Sequence, residues 1–253
     1  MPDDVIKTAR RLFAIIEYFD VVQRPLSLKD VSSYFDYPVS SASALLKSMV
    51  TLGYLDYDRY TRTYMPTMRI VQLGGWVQGA LFGEGSIMAL IRYLNRETEE
   101  TVIIGTQSDL YMQYVHVAPS SHAIQFSMRP GTIRPLARSG LGQLILAARP
   151  AEAVDRLVRR INIEEGDPQK RIVFAELMQR LRDIRAAGHV ISLNTVTEGA
   201  GVIGMLLPER RHGRLLAVGV GGPTGRLLEK QAHILNAMRD GIARFLPGDD
   251  VVH

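Results

Sequence analysis

The chain has 253 residues, 46% of them apolar, a formal net charge of +4 and no cysteine. That length allows two modest domains, and the missing cysteines exclude disulfides, cysteine-ligated zinc and cysteine nucleophiles while fitting a cytoplasmic protein. The charge does not argue for nucleic acid by itself, because residues 1–82 hold nine Lys/Arg against eight Asp/Glu and the remainder 21 against 18.

In chain order, the opening MPDDVIKTARRLF lacks the long apolar run and cleavage site of a secretory signal, and no later stretch approaches the ~18 apolar residues of a membrane span. Val5, Ala9, Leu12, Phe13, Ile16 and Phe19 follow helical spacing and predict a first helix with one buried face. Pro25 lies just past its end. Ser27 is a natural N-cap for a short second helix, with Asp30 three residues on as an approximate capping box. Leu28 and Val31 face inward there, with Tyr34 a further candidate. Residues 35–37 form a turn. Pro38 suits the first turn of a third helix carrying Leu45, Leu46, Met49 and Val50 on its apolar side, and Gly53 stops it. Residues 54–57 and 63–65 alternate as two strands around the loop 58–62. Helix, helix, turn, helix, hairpin is the winged-helix order. Residues 67–82 read as a linker helix weakened by Gly74, Gly75 and Gly79, with a boundary at 83–85.

Beyond the boundary, residues 86–100 read as a helix, and 101–107, 110–117 and 123–128 as strands. Helices follow at 139–148, 151–161 and 170–187, the last capped by Gly188. Strands return at 190–195, 201–207 and 215–220, and an amphipathic helix over 224–246 closes the domain. The expected fold is therefore α+β: a winged helix-turn-helix over 1–66, a linker helix over 67–84, and an antiparallel sheet with helices over 85–247.

A recognition helix meets base edges and phosphates with its N-terminal end. Here that end carries Ser40, Ser41, Ser43 and Ala44, with Lys47 one turn later. The hydroxyls can donate to phosphate oxygens beside the positive end of the helix dipole. Lys47, Arg59 and Arg62 suit phosphate or minor-groove contact. A solvated serine-rich cap beside an ordinary charged loop is the competing reading of these residues.

The segment LSLKDVSSYFDYPVSSASALLKSMVTLGYL (26–55) resembles the helix-turn-helix of IclR-type transcription regulators. The resemblance continues through 64–74, through RPGTIRPLARSGLGQLILA (129–147), through LRDIRAAGHV (181–190) and through AVGVGGP (217–223), in the family's order. It implies a winged-helix domain, a linker helix that contributes to dimerisation, a GAF-like domain that takes a small metabolite, and a homodimer or homotetramer on double-stranded DNA. It implies no enzymatic activity, cofactor or metal. The family often carries a cation near the start of the recognition helix and an arginine after the serine/threonine pair, where this chain has Val39 and Ala44. Arginine is the commonest reader of guanine, so specificity would rest on the serines, the wing and DNA shape. The same departures favour an alternative: a GAF-like binding or enzymatic protein whose degenerate winged helix serves protein interaction.

The resemblance also directs attention to Arg134, Arg138, Ser139, Gly140 and Leu141, to Asn194, and to Gly219 and Gly221, where some relatives place serines. Glycines there would remove two hydroxyl anchors and create room, and a guanidinium is a suitable clamp for a carboxylate. The implied effector is a larger, aromatic or similar organic acid.

Other signals carry less. The glycine-rich 219–225 stretch fits neither a phosphate loop nor a dinucleotide fingerprint. His116 and His122 have no third ligand nearby in sequence. Ser139 lacks a nucleophile elbow. Glu97, Glu99 and Glu100 read as a solvated helix end, and Arg156, Arg159 and Arg160 as a surface stripe.

Overall fold

A computed structural model describes residues 5–74, 85–126, 128–208 and 213–247. The chain divides into two compact units, Met1–Gly79 and Ala80–His253.

The first unit contains helices α1 (Lys7–Val22), α2 (Leu28–Phe35) and α3 (Val39–Thr51), and a three-stranded antiparallel sheet of β1 (Leu26–Ser27), β2 (Leu55–Asp58) and β3 (Thr63–Pro66) in the order β1-β3-β2. This is the winged helix-turn-helix arrangement. The capping box forms as expected: the Asp30 amide donates to the Ser27 hydroxyl at 3.1 Å, and the Ser27 amide donates to the Asp30 carboxylate at 2.8 Å. These bonds satisfy two donors at the start of α2. The buried face of α1 is rotated from the expected one. Ile15 and Phe19 are buried, Leu12 and Ile16 partly so, and Phe13 is 65% exposed. The spacing i, i+3, i+4, i+7 over Leu12, Ile15, Ile16 and Phe19 is the stripe that meets Val31, Leu46 and Met49. Tyr34 lies outside the core, stacked on Tyr18 at 3.8 Å. A fourth helix, α4, begins at residue 68 and is described to residue 74. The rest of the expected linker helix lies outside the described residues. The Thr67 hydroxyl donates to the Gly53 carbonyl at 2.6 Å, fastening the segment before α4 to the turn after α3.

The second unit is built on a six-stranded antiparallel sheet in the order β6-β5-β4-β9-β8-β7. Its strands are β4 (Thr101–Ser108), β5 (Tyr111–Ala118), β6 (Ile133–Pro135), β7 (Val190–Leu193), β8 (Ala200–Leu206) and β9 (Leu216–Pro223). The central strand β4 is buried on both faces, and the two-residue alternation assigns its residues to separate cores. Val102 and Ile104 pack under α5 (Ser86–Thr98) and α10 (Gln231–Phe245). Ile103 packs on the other side, with α6 (Gly140–Ala147), α7 (Ala151–Glu164) and α8 (Phe174–Ala187). Residues 123–126 and 128, expected in a strand, belong instead to a loop. Gly131, at φ +87°, reverses the chain. The Gly131 amide then donates to the Tyr114 carbonyl at 2.7 Å, and the Tyr114 amide donates to the Thr132 carbonyl at 2.8 Å, so β6 takes the edge of β5. The closing helix is broken at Lys230 into α9 (Thr224–Glu229) and α10. The helix expected from residue 170 starts at Phe174, because Pro168 and the Asp167 side chain hold residues 168–170 in a 3₁₀ turn. Among the described residues, no helix is long and apolar enough to cross a membrane.

Candidate nucleic-acid interface and ligand cavity

Helix α3 turns Ala42, Leu45, Leu46 and Met49 into the core, which fixes the opposite face outward. Ser40, Ala44 and Lys47 are exposed, and Ser41 and Ser43 half-buried. Among the described residues, the side chains of Ser40, Ser41, Ser43 and Lys47 make no hydrogen bond or ion pair, so their donors are free. The β2–β3 turn is braced by Asp58, whose carboxylate accepts from the Tyr60 amide at 2.7 Å and the Thr61 amide at 3.3 Å. The Tyr60 amide, followed by the Thr61 hydroxyl and amide, holds that carboxyl below the usual carboxylate range. Arg59 and Arg62 are exposed on this turn, with Tyr60 fully exposed between them at 99%. Arg62 adopts a left-handed φ of 55°. Sequence reading missed Tyr60: a lone exposed aromatic carries no periodicity.

In the second unit, a cavity of about 240 Å³ lies between the sheet face, the start of α6, the β7–β8 loop and the loop before β6. Arg134, Ser139 and Gly140 line it, together with Ser192, Thr195 and Thr197 and apolar walls from Ile103, Phe126, Met128, Val196 and Val202. Arg134 is its one charged residue among those described. Burial pushes the Tyr114 phenol up from its ordinary value, and the Arg134 guanidinium beside it, by charge and hydrogen bond, pulls the other way. Arg134 pairs with no carboxylate among the described residues. Ser139 is 3% exposed and its hydroxyl has no hydrogen-bond partner among the described residues. As N-cap of α6 it leaves the first amides of that helix without a side-chain cap. A buried polar group without a partner costs about 1–3 kcal/mol, and an acceptor placed in this cavity would relieve that.

The remaining residues singled out by sequence take other places. Leu141 is buried core, its methyls filling the space that a side chain at Gly204 or Gly219 would need. Gly219 therefore opens no room, because a Cβ there would lie 2.8 Å from Val202 and 2.9 Å from Leu141. A Cβ at Gly221 would instead point among Ile103, Met128 and Gly201, all cavity-lining residues. The lining glycine of β9 is Gly222, whose other side is taken up by Glu100. Asn194 does not line the cavity. At φ 58° its side-chain oxygen accepts from the Gly199 amide at 2.8 Å and the Thr224 hydroxyl at 3.2 Å, which holds the loop carrying Thr195, Val196 and Thr197. Arg138 faces a neighbouring cleft.

The expected solvated helix end at Glu97–Glu100 is corrected at Glu100, which is wholly buried. Arg226 donates to both its oxygens, at 2.5 and 2.7 Å, and to the Ile124 carbonyl at 3.1 Å. No sequence spacing links residues 126 positions apart. The Lys230 ammonium donates to the Thr98 carbonyl at 3.1 Å and lies 3.3 Å from His122.

Comparison with known proteins agrees with this architecture. Residues 8–59 match the IclR helix-turn-helix domain, and residues 86–244 the family described as bacterial transcriptional regulator IclR C-terminal. The HTH-type transcriptional regulator KdgR of Escherichia coli is 22% identical over 241 residues, covering 95% of this chain and 91% of that protein. The HTH-type transcriptional repressor AllR of Klebsiella pneumoniae is 22% identical over 229 residues, covering 86% and 80%. Among solved structures, the effector domain of the IclR regulator from Acinetobacter sp. ADP1 is 30% identical with a TM-score of 0.62, covering 68% of this chain and 99% of that one. The Thermotoga maritima IclR shares the fold with a TM-score of 0.72 at 18% identity, covering 95% and 99%.

Proposed function

Because the chain belongs to the IclR family of bacterial transcriptional regulators, we propose that it binds double-stranded operator DNA as a homodimer or homotetramer in the cytoplasm, under the control of a small organic acid. It is an HTH-type regulator and not an enzyme, as are the relatives named above. Ser40, Ser41, Ser43, Ala44 and Lys47 of α3 form the surface that meets the major groove, and Arg59 and Arg62 contact phosphates or the minor groove from the wing.

One observation carries the effector reading: a guanidinium with no carboxylate partner among the described residues and a partnerless buried hydroxyl share a cavity with apolar walls. A carboxylate is the acceptor that a guanidinium fork fits, and the uncapped start of α6 adds amide donors. The cavity holds about eight water volumes at ~30 Å³ each, which suits a ring-bearing acid better than a two-carbon one. An effector alters operator binding only by favouring one oligomer geometry over another.

Calorimetry with benzoate, phenylacetate, glyoxylate and benzamide tests the cavity. The aromatic acids should bind, and Arg134→Ala should abolish their binding. Binding confined to glyoxylate or to benzamide would sink this reading. A gel shift on DNA upstream of the protein's own coding sequence tests the interface. One fragment should shift specifically, and Ser41→Glu or Lys47→Glu should abolish the shift.

A further inference from the structure

A second cleft, of about 360 Å³, opens beside the cavity and shares Thr195 with it. Its rim carries Arg138 from the approach to α6, Lys170 and Arg171 from the turn before α8, and Arg180 from α8 itself. Some cations of this unit pair with acids: Arg159 with Asp155, Arg160 with Asp109 and Arg226 with Glu100. Lys170 likewise has Asp167 at 3.3 Å. The side chains of Arg138, Arg171 and Arg180 have no ion-pair or hydrogen-bond partner among the described residues. Glu176 lines the same cleft, one helical turn from Arg180, and does not pair with it. Arg138 also borders a groove holding Glu164 and Glu165, and pairs with neither.

Three guanidiniums line one cleft whose single described carboxylate, Glu176, pairs with none of them, and their mutual repulsion is relieved by an anion that accepts from several at once. Guanidinium forks match the oxygen geometry of phosphate. We infer that this cleft is a binding site for a small phosphate-bearing metabolite of two or more negative charges, distinct from the carboxylate cavity. Arg138, Arg171 and Arg180 hold the phosphate oxygens, and their positive charges outnumber the one carboxylate, Glu176, on the same rim. Thr195 stands in the wall common to both sites, so occupancy of one is positioned to be sensed at the other.

The test is calorimetric titration of the full chain with pyrophosphate at constant ionic strength. Saturable binding at one site per chain is expected. The Arg171→Ala/Arg180→Ala double variant should weaken it at least tenfold. Both side chains are exposed, so unchanged circular dichroism should accompany the loss. Arg134→Ala should leave pyrophosphate binding intact while removing benzoate binding, which separates the failure of this site from failure of the cavity reading. Non-saturable heats, or affinity indifferent to the double variant, would overturn the assignment.

Discussion

Arg226 holds the carboxylate of Glu100 by two hydrogen bonds, and Glu100 has no access to solvent. The ion pair joins α9 to the start of β4, and its third bond, to the Ile124 carbonyl, secures the loop that supplies Phe126 and Met128 to the cavity. Removing one partner of a fully buried pair costs ~3–5 kcal/mol, because the other charge is stranded. Arg226 is 23% exposed, so water screens part of that cost. Arg226→Ala should destabilise the second unit by about 2–3 kcal/mol, read as a lower denaturant midpoint. A variant within 0.5 kcal/mol (roughly the scatter of surface substitutions) would show the pair to be energetically idle.

Ser27 and Asp30 give the winged unit a pH signature. Hydrogen bonds from the Ser27 amide and hydroxyl hold the Asp30 carboxyl below its ordinary 3.8. A depressed carboxyl stabilises the fold above the unfolded value, and that contribution is lost as pH falls from 3.8 through the folded value. Asp30→Asn should therefore cost about 1 kcal/mol at pH 7, the usual worth of a cap. The difference from wild type should shrink as the pH drops below 3.8. Equal differences at pH 7 and pH 3 would contradict the assignment.

Lys47, Arg59 and Arg62 are expected to act on DNA through charge. Each Ala substitution should weaken operator binding and reduce the slope of log affinity against log salt by about one. Fluorescence anisotropy across a salt series measures this. An unchanged slope for all three would remove them from the phosphate contacts.

Gly142 is fixed by packing. A Cβ at this position would sit 2.0 Å from the Leu136 carbonyl oxygen and 2.6 Å from the Ser139 hydroxyl. The first neighbour is backbone and cannot swing aside. Gly142→Ala should destabilise by about 3 kcal/mol, the upper range of overpacking, and should also disturb Ser139. Thermal unfolding with and without benzoate would register both effects.

The winged helix was legible because its signals are local: a cap at Ser27, a stop at Gly53 and a three-to-four-residue apolar stripe on α3. The same locality misled at α1, where two overlapping stripes exist and only packing against Val31 and Leu46 selects the one through Ile15. Among the residues lining the cavity, Arg134, Ser139 and Gly140 were singled out through the family resemblance of the 129–147 stretch. The hydroxyls of Ser192, Thr195 and Thr197 were not, since they arrive from β7 and the loop after it, about fifty residues away. Glu100 read as one of three surface acids because its partner lies 126 residues on. Gly219 read as open space because a sequence does not record that Leu141 fills it.

The short helix α9 moors both walls of the cavity. Thr224 binds Asn194, which shapes the loop carrying Thr195 to Thr197, and Arg226 binds Ile124 and Glu100, steadying the loop that carries Phe126. Two flaps hinged on separate supports could part independently; these two share one anchor. Whatever spreads either flap pulls on the same six residues. The two walls thus hang on a single catch, and an occupant that spread either of them would load one helix end.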